Sequence, residues 1–326
     1  MKPVVLQLGS LPEWDEGPLH SKYTVLPYYN TDNKQALLDQ HGATVKAIVT
    51  RGEIGADKPL LDACPALELI TVYGVGYDAV AVNDCAKRGI SVTNTPDVLT
   101  GDVADLGVAM LLCARRNMLS ASDWVRSNQW KSKGNHALST RVFGQRTGIL
   151  GLGRIGYEIA TRLAGFNMTI YYHDISPQPC APEWHYVDSP EQLAKQVDNL
   201  FVTLAASADT RHIVDRQVID ALGTDGLLLN VSRASNIDEN ALLNALESGT
   251  LGAAALDVFE NEPGIDPRWL ALDNVLLQPH HASATTQTRQ AMGKLVLDNL
   301  AAHFAGKPLL TPVTLAAATE AGTEAN

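Results

Sequence analysis

Cysteine is scarce in this chain. Cys64, Cys85, Cys113 and Cys180 are the only four in 326 residues, and none forms a CxxC pair or a Cys/His cluster. That scatter argues against structural zinc and leaves each as an ordinary buried or semi-buried thiol. His20, His41, His136, His173, His185, His212 and His303 fall in no ligand-like spacing either, so no metal is expected. Lys and Arg nowhere gather into a run, and the net charge is −11. Nucleic acid and anionic membranes are therefore not expected partners. No apolar run reaches the ~18 residues that span a bilayer. Residues 1–8 are too short an apolar stretch for a signal peptide and read as a first strand. The expected location is the cytoplasm. No repeat of solenoid period is visible.

What the chain does have is a core. Apolar residues make up 45% and charged residues 19%, and the length suits about two domains. Short apolar strands over 4–8, 47–50, 69–72 and 90–93 alternate with helical stretches over 33–38 and 79–88, the pattern of a parallel sheet covered by helices. Residues 102–118 form a long helix. Its apolar residues surround it too fully for a one-sided surface helix, so burial between domains or subunits is expected. A polar stretch over 123–146 follows, with Trp124 and Trp130.

A second alternating series then begins. Strands are expected over 147–150, 168–172, 200–204, 227–231, 253–259 and 275–278, with helices over 155–163, 216–222 and 239–247. Ser189 caps another helix, with Pro190 in its first turn and Gln192 placed for a capping box. Asp238 caps the helix that stops at Gly249. This reads as a doubly wound domain of roughly six strands. The last long helix spans 286–304, and the Ala/Thr/Glu-rich tail over 316–326 reads as frayed. The expected fold is α/β, with two doubly wound parallel-sheet (Rossmann-like) domains and a cleft between them. Residues 1–98 plus 286–326 form a flavodoxin-like substrate-binding domain, and residues 99–285 the dinucleotide-binding Rossmann domain.

The turn Gly151-Leu152-Gly153-Arg154-Ile155-Gly156 follows a strand and opens an amphipathic helix, the context that a GxGxxG pattern requires. Gly151 permits the tight turn, Gly153 lets the backbone approach a pyrophosphate, and Gly156 lets helix and strand pack closely. The helix N-terminus adds N–H groups and a positive dipole end. Eighteen residues beyond Gly156 stands Asp174, at the end of the next strand. A carboxylate there accepts hydrogen bonds from ribose hydroxyls and repels a 2′-phosphate. Ile175, Ser176 and Pro177 follow, with no Arg or Lys to pair with such a phosphate. The expected cofactor is NAD rather than NADP. The other reading of Asp174 is a solvated loop residue.

Three more stretches end strands of the second domain: Asn230-Val231-Ser232-Arg233, Leu256-Asp257-Val258-Phe259-Glu260-Asn261-Glu262-Pro263, and Gln278-Pro279-His280-His281. They offer a cation, a carboxylate and an imidazole. Reduction of a 2-oxo acid needs a cation for the carboxylate, a proton donor for the carbonyl oxygen, and a partner that keeps the donor protonated. Singly, each residue is as readily structural: an ion-pairing Arg, a loop Glu, a core His. The cofactor turn beside them favours the joint functional reading.

These motifs resemble the D-2-hydroxyacid dehydrogenase family, which includes glyoxylate/hydroxypyruvate reductases and phosphoglycerate dehydrogenase. The resemblance covers nearly the whole chain. It also includes Tyr73-Gly74-Val75-Gly76-Tyr77-Asp78, Arg88-Gly89-Ile90 leading to Asn94-Thr95-Pro96, and Val103-Ala104-Asp105. It implies that Arg233 binds the substrate carboxylate and carbonyl, that His280 is the general acid/base, and that Glu262 is its catalytic partner. It further implies that Asp257 holds the nicotinamide carboxamide, that Val103 belongs with Gly151, Gly153, Arg154, Ile155, Gly156 and Asp174 at the cofactor, and that the N–H groups of Val75 and Gly76 receive the substrate carboxylate. Arg51, at the end of another first-domain strand, is a further substrate candidate. His281 stands where the family often has an aliphatic residue, and Ala234 where it usually has Gly. At Ala205-Ala206 a Pro is common.

The implied partners are a small 2-oxo or 2-hydroxy acid and a second copy of the chain in a homodimer. Glyoxylate, hydroxypyruvate or hydroxyphenylpyruvate reductases look nearest, and no basic cluster marks a phosphorylated substrate. Two other readings remain: a non-enzymatic NAD-binding corepressor or sensor of the same fold, and a dehydrogenase of formate. Filled Arg, Glu and His positions favour a 2-oxo acid reductase over both.

Overall fold

Short runs such as Val45–Arg51 and Leu69–Tyr73 are almost wholly buried. A strand with both faces covered belongs in the interior of a parallel sheet. The computed structural model describes residues 2–179 and 183–314. Cys180 and the tail over 316–326 lie outside the described residues. The other three cysteines are free thiols, Cys64 and Cys85 buried and Cys113 half-buried. No helix among the described residues is long and apolar enough to cross a membrane.

The chain divides into two units, residues 1–99 with 284–326 and residues 100–283. The first holds β1 (Val4–Gln7), β2 (Thr24–Pro27), β3 (Val45–Arg51), β4 (Leu69–Tyr73) and β5 (Ser91–Thr93). All pair in parallel, in the order β2-β1-β3-β4-β5. Leu6, Ile48, Ile70, Val72 and Leu61 lie in its core. The Thr286–Phe304 helix, capped by the Thr285 side chain, packs on β4 and on the Glu13–Lys22 helix of this unit.

The second unit holds β6 (Arg146–Leu150), β7 (Thr169–His173), β8 (His185–Tyr186), β9 (Asn199–Val202), β10 (Leu227–Asn230), β11 (Ala253–Leu256) and β12 (Val275–Leu277). Their order is β12-β11-β10-β9-β6-β7-β8, again parallel. From β6 the chain winds outward through β7 and β8, then returns to β9 on the other side. In such sheets the strand order reverses there, and the crevice outside the strand ends receives ligands. In the first unit β1 and β3 meet in the same way.

Two expectations need correction. This sheet has seven strands rather than about six, because β8 is two residues long and too short to show a period. The apolar helix runs over Thr100–Arg115 and stops before Asn117, whose φ of +49° breaks it; helices Met118–Arg126 and Gln129–Lys133 follow. Within its unit the Thr100–Arg115 helix buries one face, through Val103, Ala104, Gly107, Val108, Met110 and Leu111, while Asp105 and Ala109 are exposed. It is therefore not covered all round by its own unit. A Cβ at Gly107 would stand 3.2 Å from Ile159 Cδ1, which shows how closely this helix approaches Arg154–Ala164.

Candidate active site

The glycine turn sits where β6 and β9 part. Gly151 adopts φ +97°, open to glycine at little cost. A Cβ there would meet the Leu204 backbone N at 2.9 Å, and one at Gly156 would stand 2.2 Å from the Gly151 carbonyl oxygen. Both glycines are thus required by the fold itself. Gly153 is different: a Cβ would meet nothing within 4 Å, and the residue is exposed. The surrounding protein gives no reason for a glycine here, whereas a close-lying phosphate would.

Arg154 and half-buried Ile155 open the eleven-residue helix, which has no side-chain cap at Gly153. Asp174 is tied to the same turn, since the Leu152 N–H donates to its Oδ2 at 2.9 Å and the Ile175 N–H to its Oδ1 at 2.8 Å. A carboxylate at the end of the strand beside the first glycine is what ribose hydroxyls need, so these residues fit a dinucleotide. Thr203, just past β9, donates to the Gly151 carbonyl at 2.6 Å and braces the turn. Sequence reasoning missed it, because a lone Thr after a strand carries no signal. Val103 lies buried on the Thr100–Arg115 helix.

The acid/base candidates come together on two loops. The Glu262 Oε2 lies 2.6 Å from the His280 Nδ1, and the Phe259 N–H donates to the Glu262 Oε1 at 2.8 Å. Burial alone would push the Glu262 carboxyl up. The hydrogen bonds from His280 and Phe259, with the His280 and Arg233 charges nearby, outweigh burial and hold it below the usual glutamate range. A carboxylate only accepts, so Nδ1 carries the hydrogen and Nε2 is the nitrogen left to exchange a proton. His280 has φ +51°, a left-handed backbone that costs a side-chain-bearing residue about 1 kcal/mol. Buried Asp257 holds this bend, with Oδ1 accepting the His281 N–H and Oδ2 the Ala282 N–H, each at 2.9 Å. Burial keeps the Asp257 carboxyl above its ordinary range against those two bonds. The neighbouring His281 ring turns instead to Gln278 Oε1 at 2.7 Å.

The Glu262 loop is tethered as well. Glu239, first residue of the helix that Asp238 caps, accepts the Glu260 N–H on Oε2 at 2.8 Å. The Arg233 loop is built on buried amides: Asn230 Nδ2 donates to the Arg233 carbonyl at 2.9 Å, and Asn236 Nδ2 to the Leu204 carbonyl at 2.9 Å. Asn236 and Glu239 were not singled out from sequence, since their partners are distant backbone groups.

Arg51, Val75 and Gly76 lie on the first unit. Arg51 ends β3 and pairs with Glu53 at 2.7 Å. The Val75-Gly76 turn follows β4, and Asn94 Nδ2 holds the Val75 carbonyl at 2.8 Å. Among the described residues neither the Val75 nor the Gly76 N–H donates to another group.

Residues 108–282 match the D-isomer specific 2-hydroxyacid dehydrogenase NAD binding domain. A glyoxylate/hydroxypyruvate reductase A of Arabidopsis thaliana is 42% identical over 309 residues, 95% of this chain and 98% of the relative. A crystallised 2-hydroxyacid dehydrogenase from Ketogulonicigenium vulgare Y25 is 61% identical with a TM-score of 0.91, covering 97% of this chain and 99% of that one. An NADPH-dependent glyoxylate/hydroxypyruvate reductase from Sinorhizobium meliloti, solved with NADP and malonate, is 39% identical with a TM-score of 0.88, over 96% and 97% of the two chains. The sheet order, the glycine turn at the switch point and these matches agree: the chain belongs to the D-isomer specific 2-hydroxyacid dehydrogenase family and is an NAD(P)-dependent oxidoreductase of 2-oxo and 2-hydroxy acids.

Proposed function

We propose that this protein reduces a small 2-oxo acid, glyoxylate, hydroxypyruvate or a close relative, to the D-2-hydroxy acid with NADH, and that His280 is the proton donor. The observation that carries this reading is the 2.6 Å Glu262–His280 pair on a loop pinned by Asp257. The Glu262 carboxylate accepts from Nδ1 and balances the charge of the protonated ring. His280 then delivers its Nε2 proton to the carbonyl oxygen in reduction, and takes the hydroxyl proton in oxidation. When bound, the reduced nicotinamide supplies the hydride. The Arg233 guanidinium takes the substrate carboxylate and carbonyl; the N–H groups of Val75 and Gly76 hold the carboxylate from the first unit. Asp257 both sets the His280 bend and stands for the nicotinamide carboxamide, with Val103 beside the cofactor.

Asp174 supports NAD as the preferred cofactor. A 2′-phosphate beside a carboxylate already bonded to the turn would be repelled, and residues 175–179 hold no Lys or Arg. The test is oxidation of NADH and of NADPH across a panel of 2-oxo acids. We expect kcat/KM to favour NADH by ~10-fold or more, since one unpaired charge costs at least one decade. A preference for NADPH would overturn the cofactor assignment. Tight NADH binding without turnover would favour a sensor.

A homodimer is part of the same proposal. Met118, Leu119, Val125 and Trp130, on the helices after Asn117, are each about half or more exposed, and apolar side chains so placed favour a covered surface. A monomer mass in solution at micromolar concentration would count against it.

A further inference from the structure

The carboxyl end of the first unit's sheet carries a cluster that the reaction above does not use. Arg51 and Tyr73 close β3 and β4 and are register partners on these neighbouring strands, so their side chains leave the same face. They stand beside the β1/β3 switch point: a Cβ at Gly9, just past β1, would lie 3.0 Å from Arg51 Cδ. From the first turn of the Thr286–Phe304 helix, Arg289 lays its guanidinium over the Tyr73 ring, with Cζ 5.8 Å from the centroid. The Tyr73 hydroxyl donates to the Arg289 carbonyl at 2.8 Å. Tyr73 is buried and serves as the floor that fixes Arg289.

Arg289 is half-buried, yet no carboxylate among the described residues pairs with it. A cation in a helix's first turn also opposes the positive end of the dipole. The ring below attracts the guanidinium but satisfies none of its five N–H donors. A fixed, half-buried, unpaired guanidinium at the ligand-binding end of a doubly wound sheet points to an acceptor on a ligand.

We propose that Arg289, with the Arg51–Glu53 pair, forms a subsite for a hydroxylated substrate tail, so that the preferred substrates are 2-oxo acids bearing hydroxyl groups at C3 and beyond. This rests on the proposed function, in which the substrate carboxylate lies on Val75 and Gly76, two and three residues past Tyr73. Guanidinium groups only donate and the Glu53 carboxylate only accepts, whereas a hydroxyl does both. A second carboxylate on the tail would meet the Glu53 charge. An aliphatic tail would leave Arg289 desolvated with no partner, the arrangement by which a polar site rejects the wrong analogue.

The experiment is steady-state reduction with NADH by the full chain, using glyoxylate, 2-oxohexanoate and 2-oxogluconate. The wild type is expected to prefer 2-oxogluconate over 2-oxohexanoate in kcat/KM by ~10-fold, the worth of one charged hydrogen bond. In Arg289→Leu that preference falls by a similar factor, through KM rather than kcat, as the loss of uniform binding requires. Glu53→Gln erodes it less. Should the leucine variant not fold, Arg289→Gln is read in the same way. An unchanged preference in the Arg289 variants, or an equal loss on all three substrates, overturns the subsite. Wild-type protein that turns over none of the three overturns the proposed function as well; turnover of glyoxylate without the tail preference overturns only the subsite.

Discussion

Replacing His280 with alanine is expected to lower kcat for 2-oxo acid reduction by ~10²–10⁴-fold, the usual worth of a positioned general acid. NADH should still bind, because the glycine turn and Asp174 are on other loops. His281→Ala should retain near-wild-type kcat, since that ring is engaged by Gln278 and only its backbone N–H reaches Asp257. The reverse outcome, with His280→Ala active and His281→Ala dead, would refute the assignment. The pH profile gives a second check. Reduction needs an ionised Glu262 and a protonated His280. Because Glu262 is held below the ordinary glutamate range, its loss of charge depresses the rate only at pH below that range. Glu262→Gln should also lower kcat, because the neutral amide no longer balances the charge of the ring that donates the proton.

Gly156→Ala and Gly153→Ala should fail in different ways. At Gly156 a Cβ would stand 2.2 Å from the Gly151 carbonyl oxygen and 2.9 Å from both Ile149 Cγ2 and Thr203 Oγ1. Overpacking of this kind typically costs ~1–3 kcal/mol. For a unit of this size that corresponds to a Tm lower by ~2–10 °C. Forcing helix and strand apart also moves the helix N-terminus, so NADH affinity should fall with stability. At Gly153 the same methyl meets only open space, so Tm should hold while KM for NADH rises by ~10-fold or more, as one misplaced contact at a reacting site can cost. Thermal melts with and without NADH separate the two. An unchanged KM in Gly153→Ala would mean that no ligand approaches that backbone.

Local chemistry explains which elements were readable. The helices Arg216–Leu222 and Thr286–Phe304 appear at their expected bounds, and Ser189 and Asp238 cap where expected, accepting from the Gln192 and Ala241 N–H groups. Each signal lies within a few residues of what it governs. The Glu13–Lys22 helix and β2 were not expected. Gly17 and Pro18 sit inside that helix and Pro27 ends that strand, so their local preference opposes what they form. Packing of Leu19 into the first unit's interior overrides it.

By itself, the order of residues determined the alternating architecture, the dinucleotide turn, and which Arg, Glu and His stand at strand ends. These follow from periodicity and from short motifs, which are properties of neighbouring positions. The resemblance already singled out His280; tertiary structure alone decided how its ring meets Glu262 while the adjacent His281 turns away. Asp257, more than twenty residues upstream, takes the N–H groups of His281 and Ala282 and turns the backbone so that one ring faces the carboxylate and the other faces Gln278. It likewise decided that Thr203 braces the glycine turn and that Arg289 lies over Tyr73. Thr203 and Gly151 follow neighbouring strands β9 and β6 that lie far apart in sequence, and Arg289 reaches Tyr73 because the Thr286–Phe304 helix packs on β4.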